Sequence, residues 1–132
     1  MIADDDVVYR RIFSANTYPA TSTNPKKQPG AVNSTAFVEY KNPMQQISVE
    51  LARLTTLDDC IGRGRPGQGV AALTVVDIRA IGLDVHHTPE YGLTVAHCDI
   101  VHPLPDRRIE MSHCRELARA ARVVHLPTLP AA

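Results

Sequence analysis

The run Gly92-Leu93-Thr94-Val95-Ala96-His97-Cys98-Asp99-Ile100-Val101-His102 constrains the fold most, because neither of its sides is simply polar. Side chains alternate along an extended chain. Leu93, Val95, His97, Asp99 and Val101 would then share one face, and Thr94, Ala96, Cys98, Ile100 and His102 the other. A strand of this kind is covered on both sides, which makes it the expected central strand of a sheet. It also brings His97 and Asp99 to one side, within reach of each other or of a single ligand.

The other segments read as short pieces around that strand. Val7 to Phe13 is β-branched and aromatic, and makes a first strand. Residues 14–33 carry Pro19, Pro25, Pro29 and Gly30 and show no hydrophobic period, so they read as a mobile surface loop. Thr35 to Tyr40 is a second strand, placed to form a hairpin with the alternating Ile47-Ser48-Val49-Glu50-Leu51. Thr55 and Thr56 precede Asp58 and Asp59 at capping-box spacing, predicting a short helix that ends at Gly62. Val70 to Leu73 is an apolar strand, and Thr74 with Asp77 opens a further helix that Gly82 stops in the left-handed conformation. Leu83 to His87 is extended, and Pro103 ends the strand after it. Ser112 reads as the N-cap of a last helix, with Cys114, Leu117, Ala118 and Ala121 as its apolar stripe. Val123 to Leu126 adds a strand before a tail that frays over 127–132.

Strands and short helices in this order predict a single α+β domain over 1–132, with a mixed, mostly antiparallel sheet and two or three short helices. A chain of 132 residues that is 44% hydrophobic is enough for one core. With 14 basic and 14 acidic residues the formal charge is zero, which removes a global attraction to nucleic acid or anionic membrane. The longest nearly apolar run, Gly69 to Val76, falls far short of the roughly 20 residues that span a bilayer. Cys60, Cys98 and Cys114 are odd in number and scattered, and the start is acidic where a secretory signal is basic and then apolar. The expected setting is reduced and cytoplasmic.

Several short motifs suggest chemistry and fail on context. Leu93 to Cys98 resembles the histidine motif of trypsin-like serine proteases, but the one later serine, Ser112, lies in a helix start. Six histidines with Cys98, Cys114, Asp84 and Asp99 offer zinc donors, yet no pair stands at chelating spacing, and no metal is assigned. Gly62, Gly64 and Gly67 satisfy G-x-G-x-x-G, but the loop follows a helix and enters a strand, the reverse of the dinucleotide fingerprint. Arg63-Gly64-Arg65-Pro66 resembles the core of an AT-hook. A single copy in a neutral chain makes nucleic-acid binding weak, and the bland reading is a turn with two solvated arginines.

Tyr9-Arg10-Arg11, Ser34-Thr35-Ala36-Phe37, Ser48-Val49-Glu50 and Ala96-His97, followed by an Arg/Ala-rich helix, resemble a family of short bacterial proteins that carries no known activity. The order Arg, Ser, Glu on successive strands is also similar to the RES and ADP-ribosyltransferase-like enzymes. That resemblance implies Arg10 or Arg11 on an NAD phosphate, Ser34 or Ser48 on the ribose, and Glu50 supporting glycosidic cleavage. The chemistry is consistent, since guanidinium forks suit phosphate and a carboxylate stabilises an oxocarbenium-like state.

The sequence therefore leads to a small cytoplasmic binding or accessory module. Its expected partner is a protein or a second copy of the chain, met through a sheet edge or the 14–33 loop. The alternative is a phosphate- or nucleotide-handling enzyme with Arg10, Arg11, Ser48, Glu50 and His97 as catalytic candidates. A further alternative is a weak nucleic-acid binder through the Arg63-Gly64-Arg65-Pro66 loop, and Arg63, Arg65 and Asp99 are the ligand-binding candidates. A small-molecule ligand fits the enzyme alternative, no cofactor is identified, and the enzyme reading requires its catalytic candidates to meet in one cleft.

Overall fold

The computed structural model describes residues 1–39 and 46–128. Six strands form one sheet: β1 (Val7–Ile12), β2 (Gln46–Leu51), β3 (Gly69–Thr74), β4 (Asp84–His87), β5 (His97–Val101) and β6 (Arg122–His125). Their order is β4-β5-β2-β1-β3-β6, and each pairing is antiparallel. Three helices complete the α+β domain: α1 (Leu57–Gly62), α2 (Val75–Ala80) and α3 (Met111–Ala120).

One face of the sheet carries Val8, Ile12, Ile47, Val49, Leu51, Leu73, Val85, Cys98 and Ile100. Phe37 from a 3₁₀ turn (Ser34–Phe37), Ile78 of α2, and Cys114 and Leu117 of α3 close this core. Burial of such side chains is the main favourable term in folding, at roughly 1.5–3 kcal/mol each. The opposite face is covered only in part, by α1 over β1 and β3, where Cys60 is buried. Val70 to Leu73 are therefore buried on both sides.

The local signals place the helix starts with one exception, although Thr74 at the N-cap of α2 makes no side-chain cap hydrogen bond and forms no capping box with Asp77. Thr56 caps α1, its hydroxyl accepting from Asp59 N at 3.1 Å. Gly82 follows α2 at φ +97°, the left-handed region that a side chain would strain. The exception is α3, which begins at Met111 rather than after Ser112. Glu110 takes the capping position, and His113 Nδ1 accepts its N–H at 2.8 Å.

Three strand assignments change. Residues 92–96 are not strand, and β5, one place in from the β4 edge, is not the central strand; β2 and β1 are. The reason is a shortage of ladder partners. β4 ends at His87, whose register partner is Cys98, and β2 ends at Leu51, whose N–H reaches Ala96 O at 2.8 Å. Among the described residues no strand pairs with 93–95, where the contact to Val95 O is the His87 ring rather than a ladder, so Leu93 is 98% exposed and the Val95 side chain is exposed too. The segment from Thr88 to Ala96 is instead the β4–β5 connection. Thr35 to Glu39 is likewise not a strand, and no hairpin forms with β2. Asn33 accepts from Thr35 N at 3.0 Å and winds the chain into the 3₁₀ turn, while Tyr40 lies outside the described residues.

The 14–33 segment is tied at its base. Thr17 bridges Val32, Tyr18 N donates to Ala31 O at 2.9 Å, and Asn33 N donates to Asn16 O at 2.8 Å. The C-terminal segment is also held as far as Thr128, whose N–H reaches Gly67 O at 2.8 Å, and 129–132 lie outside the described residues. Among the described residues no helix is long and apolar enough to cross a membrane.

Candidate functional site: a cationic cleft beside a short strand pairing

β1 pairs with β3 along its whole length, from Val7–Thr74 to Ile12–Gly69, but with β2 at only two positions, Val8–Leu51 and Tyr9–Glu50. Past Tyr9 the β1–β2 ladder stops. Arg10 takes over the unpaired acceptors: its Nη1 donates to Ser48 O at 2.8 Å and its Nε to Ala36 O at 2.9 Å. It also faces Glu39 at 3.5 Å. Burial pulls the Arg10 guanidinium below its usual range, and Glu39 opposes that shift. Arg10 thus joins β1, β2 and the 34–37 turn where main chain does not.

A cleft of about 480 Å³ opens here. Cross-strand register builds its floor, with Tyr9 opposite Glu50 and Glu50 opposite His97, so three chemically active side chains stand in one row over β1, β2 and β5. Arg10, Arg11, Ser48 and Arg63 line the same space. The enzyme reading required Arg10, Arg11, Ser48, Glu50 and His97 to share a cleft, and they do.

Glu50 is the buried centre of the charge arrangement. Its side chain is 5% exposed and lies between two guanidiniums, with Arg11 Nη1 on Oε2 and Arg63 Nη2 on Oε1. Burial alone would push the Glu50 carboxyl up; the hydrogen bonds from Arg63 and Arg11, with their charges, outweigh it and hold the group below its usual value. The Glu50 hydrogen bond in turn raises Arg63 further. A carboxylate held in this way is a weak proton acceptor. Its contribution is to orient two forks, each of which has more donors than Glu50 uses. Among the described residues, Arg11 Nε and Nη2 and Arg63 Nη1 have no partner, and the two side chains are 32% and 27% exposed.

The basic glycine loop is not a solvated turn with two free arginines. Arg63 turns inward to Glu50 and Thr55, and only Arg65 is exposed. Gly64 N bonds Ile61 O at 3.0 Å, and Arg65 N bonds Gln68 Oε1 at 2.7 Å, which keeps the segment folded back rather than extended into an AT-hook arm. Arg65 does not line the cleft; Arg63 and Gln68 do. From the sequence, Arg63 is a ligand candidate through the nucleic-acid reading of its loop and not as a partner of Glu50. The signal that could have placed it was its distance from α1, whose C-terminus it follows directly.

Asp99 lies behind the row rather than in the cleft lining. It is 1% exposed, its Oδ2 accepts from Thr88 Oγ1 at 2.8 Å, and His97 Nε2 stands 3.4 Å from its Oδ1. Ser34 lies in the 3₁₀ turn, and its neighbours Thr35 and Ala36 reach the cleft. The residues sequence reasoning missed form the rim. Phe13 from the end of β1, and Tyr91 and Leu93 from the β4–β5 connection, are exposed apolar groups that border the cationic floor. Among the described residues, no three His, Cys, Asp or Glu side chains converge as a metal site would need.

No protein-family model matches this chain, and no curated protein or solved structure proved significantly similar to it. The site is therefore read from its own geometry.

Proposed function

We propose that this chain binds a phosphate-bearing small molecule, a nucleotide, in the cleft between β1, β2 and the β4–β5 connection. The observation that carries the reading is the pair of guanidiniums, Arg11 and Arg63, fixed on the buried Glu50 with donors left over at the cleft floor. Two forks against one carboxylate leave one net positive charge, in a concavity within the usual 300–1,000 Å³ of small-molecule sites. Planar forks are the donors best matched to phosphate oxygens. Phe13, Tyr91 and Leu93 on the rim supply the apolar surface on which a base stacks.

A concave, charged, partly apolar site favours this reading over the protein-partner module expected from the sequence. Titration calorimetry with AMP tests it. Binding in the micromolar range that weakens with added salt is the expected result. Arg11→Met and Arg63→Met should each reduce affinity about tenfold or more, the value of a charge-assisted hydrogen bond. Equal affinity in the wild type and both variants, or no binding in the wild type, would refute the proposal.

A further inference from the structure

The turn between α1 and β3 enters the nucleotide reading only through Arg63, yet its far end is also built toward the cleft. Gly64 N donates to Ile61 O at 3.0 Å, Gln68 N donates to Arg65 O at 3.1 Å, and Gly67 sits at φ +85°, so the chain reverses between Arg63 and Gln68. The reversal brings the Gln68 side chain back over Gly64. A Cβ on Gly64 would lie 2.7 Å from Gln68 Oε1 and 2.8 Å from Arg11 Cδ, so a side chain there would push one or the other away. The sheet register agrees with this contact. Val70 is the cross-strand partner of Arg11, and alternation puts Gln68, two residues before Val70, on the same side and diagonal to Arg11.

The orientation of the Gln68 amide follows from its partner. The Arg65 N–H can only donate, so the amide atom that receives it at 2.7 Å is the oxygen. Nε2 is left with two N–H groups that have no partner among the described residues, on a half-buried side chain that lines the cleft. Arg11 and Arg63 are in the same condition: each spends donors on Glu50 and keeps others. Unspent donors from β1 and from both ends of one turn therefore border the same floor.

We propose that Gln68 is a third phosphate-binding residue of the cleft, its Nε2 giving the bound phosphate a neutral donor beside the Arg11 and Arg63 forks. The inference rests on the nucleotide-binding reading and deepens it. Residues 63–68 then form the phosphate-binding loop of the site, with Arg63 and Gln68 at its two ends and Arg65 outside it. Gly64 leaves the space in which Gln68 and Arg11 meet, and the Arg65 N–H fixes which end of the amide faces the ligand. An amide brings no charge, so its share of the affinity is one hydrogen bond to a phosphate oxygen. Salt screens the attraction of the two guanidiniums for the ligand but leaves that bond in place, which makes the two contributions separable.

The test follows the side-chain amide ¹⁵N–¹H signals of Gln68 in the wild-type protein through titrations with AMP, ribose 5-phosphate and adenosine, beside calorimetry of AMP on Gln68→Met. The two ligands that carry a phosphate should shift the Gln68 pair, saturating together with Arg11 and Arg63, and adenosine should leave it in place. Gln68→Met should weaken AMP roughly tenfold, by the same factor at low and at high salt, whereas the loss in Arg11→Met should shrink as salt rises. If Gln68→Met fails to fold, the wild-type titrations decide the matter. Gln68 signals that stay in place while those of Arg11 and Arg63 move with AMP would overturn this inference and leave the nucleotide reading intact. A Gln68 shift as large with adenosine as with AMP, or unchanged AMP affinity in a folded Gln68→Met, would do the same. Absence of AMP binding would overturn both.

Discussion

Replacing Glu50 with glutamine is the perturbation whose outcome follows most directly from the structure. The carboxylate is 5% exposed and accepts from both Arg11 and Arg63. A hydrogen bond to a charged group contributes about 1.5–3 kcal/mol, so two suggest about 3–6 kcal/mol as an upper figure. Both guanidiniums are roughly a third exposed, and water recovers part of that loss in the variant. A destabilisation of about 2–3 kcal/mol remains, or a fall of about 6–12 °C in Tm for a domain of this size. The effect has a pH signature. The folded-state value of Glu50 lies below its unfolded value of about 4.3. Its contribution is therefore complete above about pH 4.3 and is lost as pH falls through the lower folded value. Thermal unfolding of the wild type and Glu50→Gln from pH 7 down to pH 3 should show a wide gap at neutrality that narrows in acid. A variant as stable as the wild type at pH 7, or a gap that stays constant down to pH 3, would refute the reasoning.

Arg10→Met should cost about 2–4 kcal/mol, because it leaves Ser48 O and Ala36 O without donors where β1 and β2 no longer pair, while Arg65→Ala on the exposed turn should change stability by under about 0.5 kcal/mol; chemical denaturation of the two variants checks the contrast. All three cysteines are buried and free, burial raises each thiol, and Cys98 is pushed up to about 11 by burial and the neighbouring Asp99. A thiol reagent at pH 8 should therefore label none of them until the protein unfolds. Gly92→Ala should leave the core intact but displace the β4–β5 connection from His97, which a changed His97 ring signal and weaker AMP binding would report.

Legibility in the sequence followed how local each signal is. β3, α1, α2, β4 and β6 were visible because caps, Gly82 and short apolar runs act within a few residues of where they stand. The errors came where the decisive partner is distant. Leu93 and Val95 have the pattern of strand residues, yet the strands beside them end at His87 and Leu51, which no local period shows. Thr35 to Glu39 lost to the Asn33 cap, a local signal outweighed in the reading by β-branched and aromatic composition. Of the site, Arg11, Glu50 and His97 could be singled out as residue types. That Tyr9, Glu50 and His97 form one row depends on the β1–β2–β5 register. Arg63 joins them only because α1 folds back over β1, and Arg10 differs from Arg11 because adjacent strand residues face opposite sides of a sheet.

The most direct test of the account is a titration of AMP into the protein while the guanidinium ¹⁵N–¹H signals of the assigned arginines are followed by NMR. Arg11 and Arg63, whose remaining donors are placed for the phosphate, should shift together with saturation, while Arg10, bound to Ser48 O and Ala36 O, stays in place. Shifts confined to Arg65 and the other surface arginines, with Arg11 and Arg63 unmoved, would contradict the claim that the cleft is the nucleotide site.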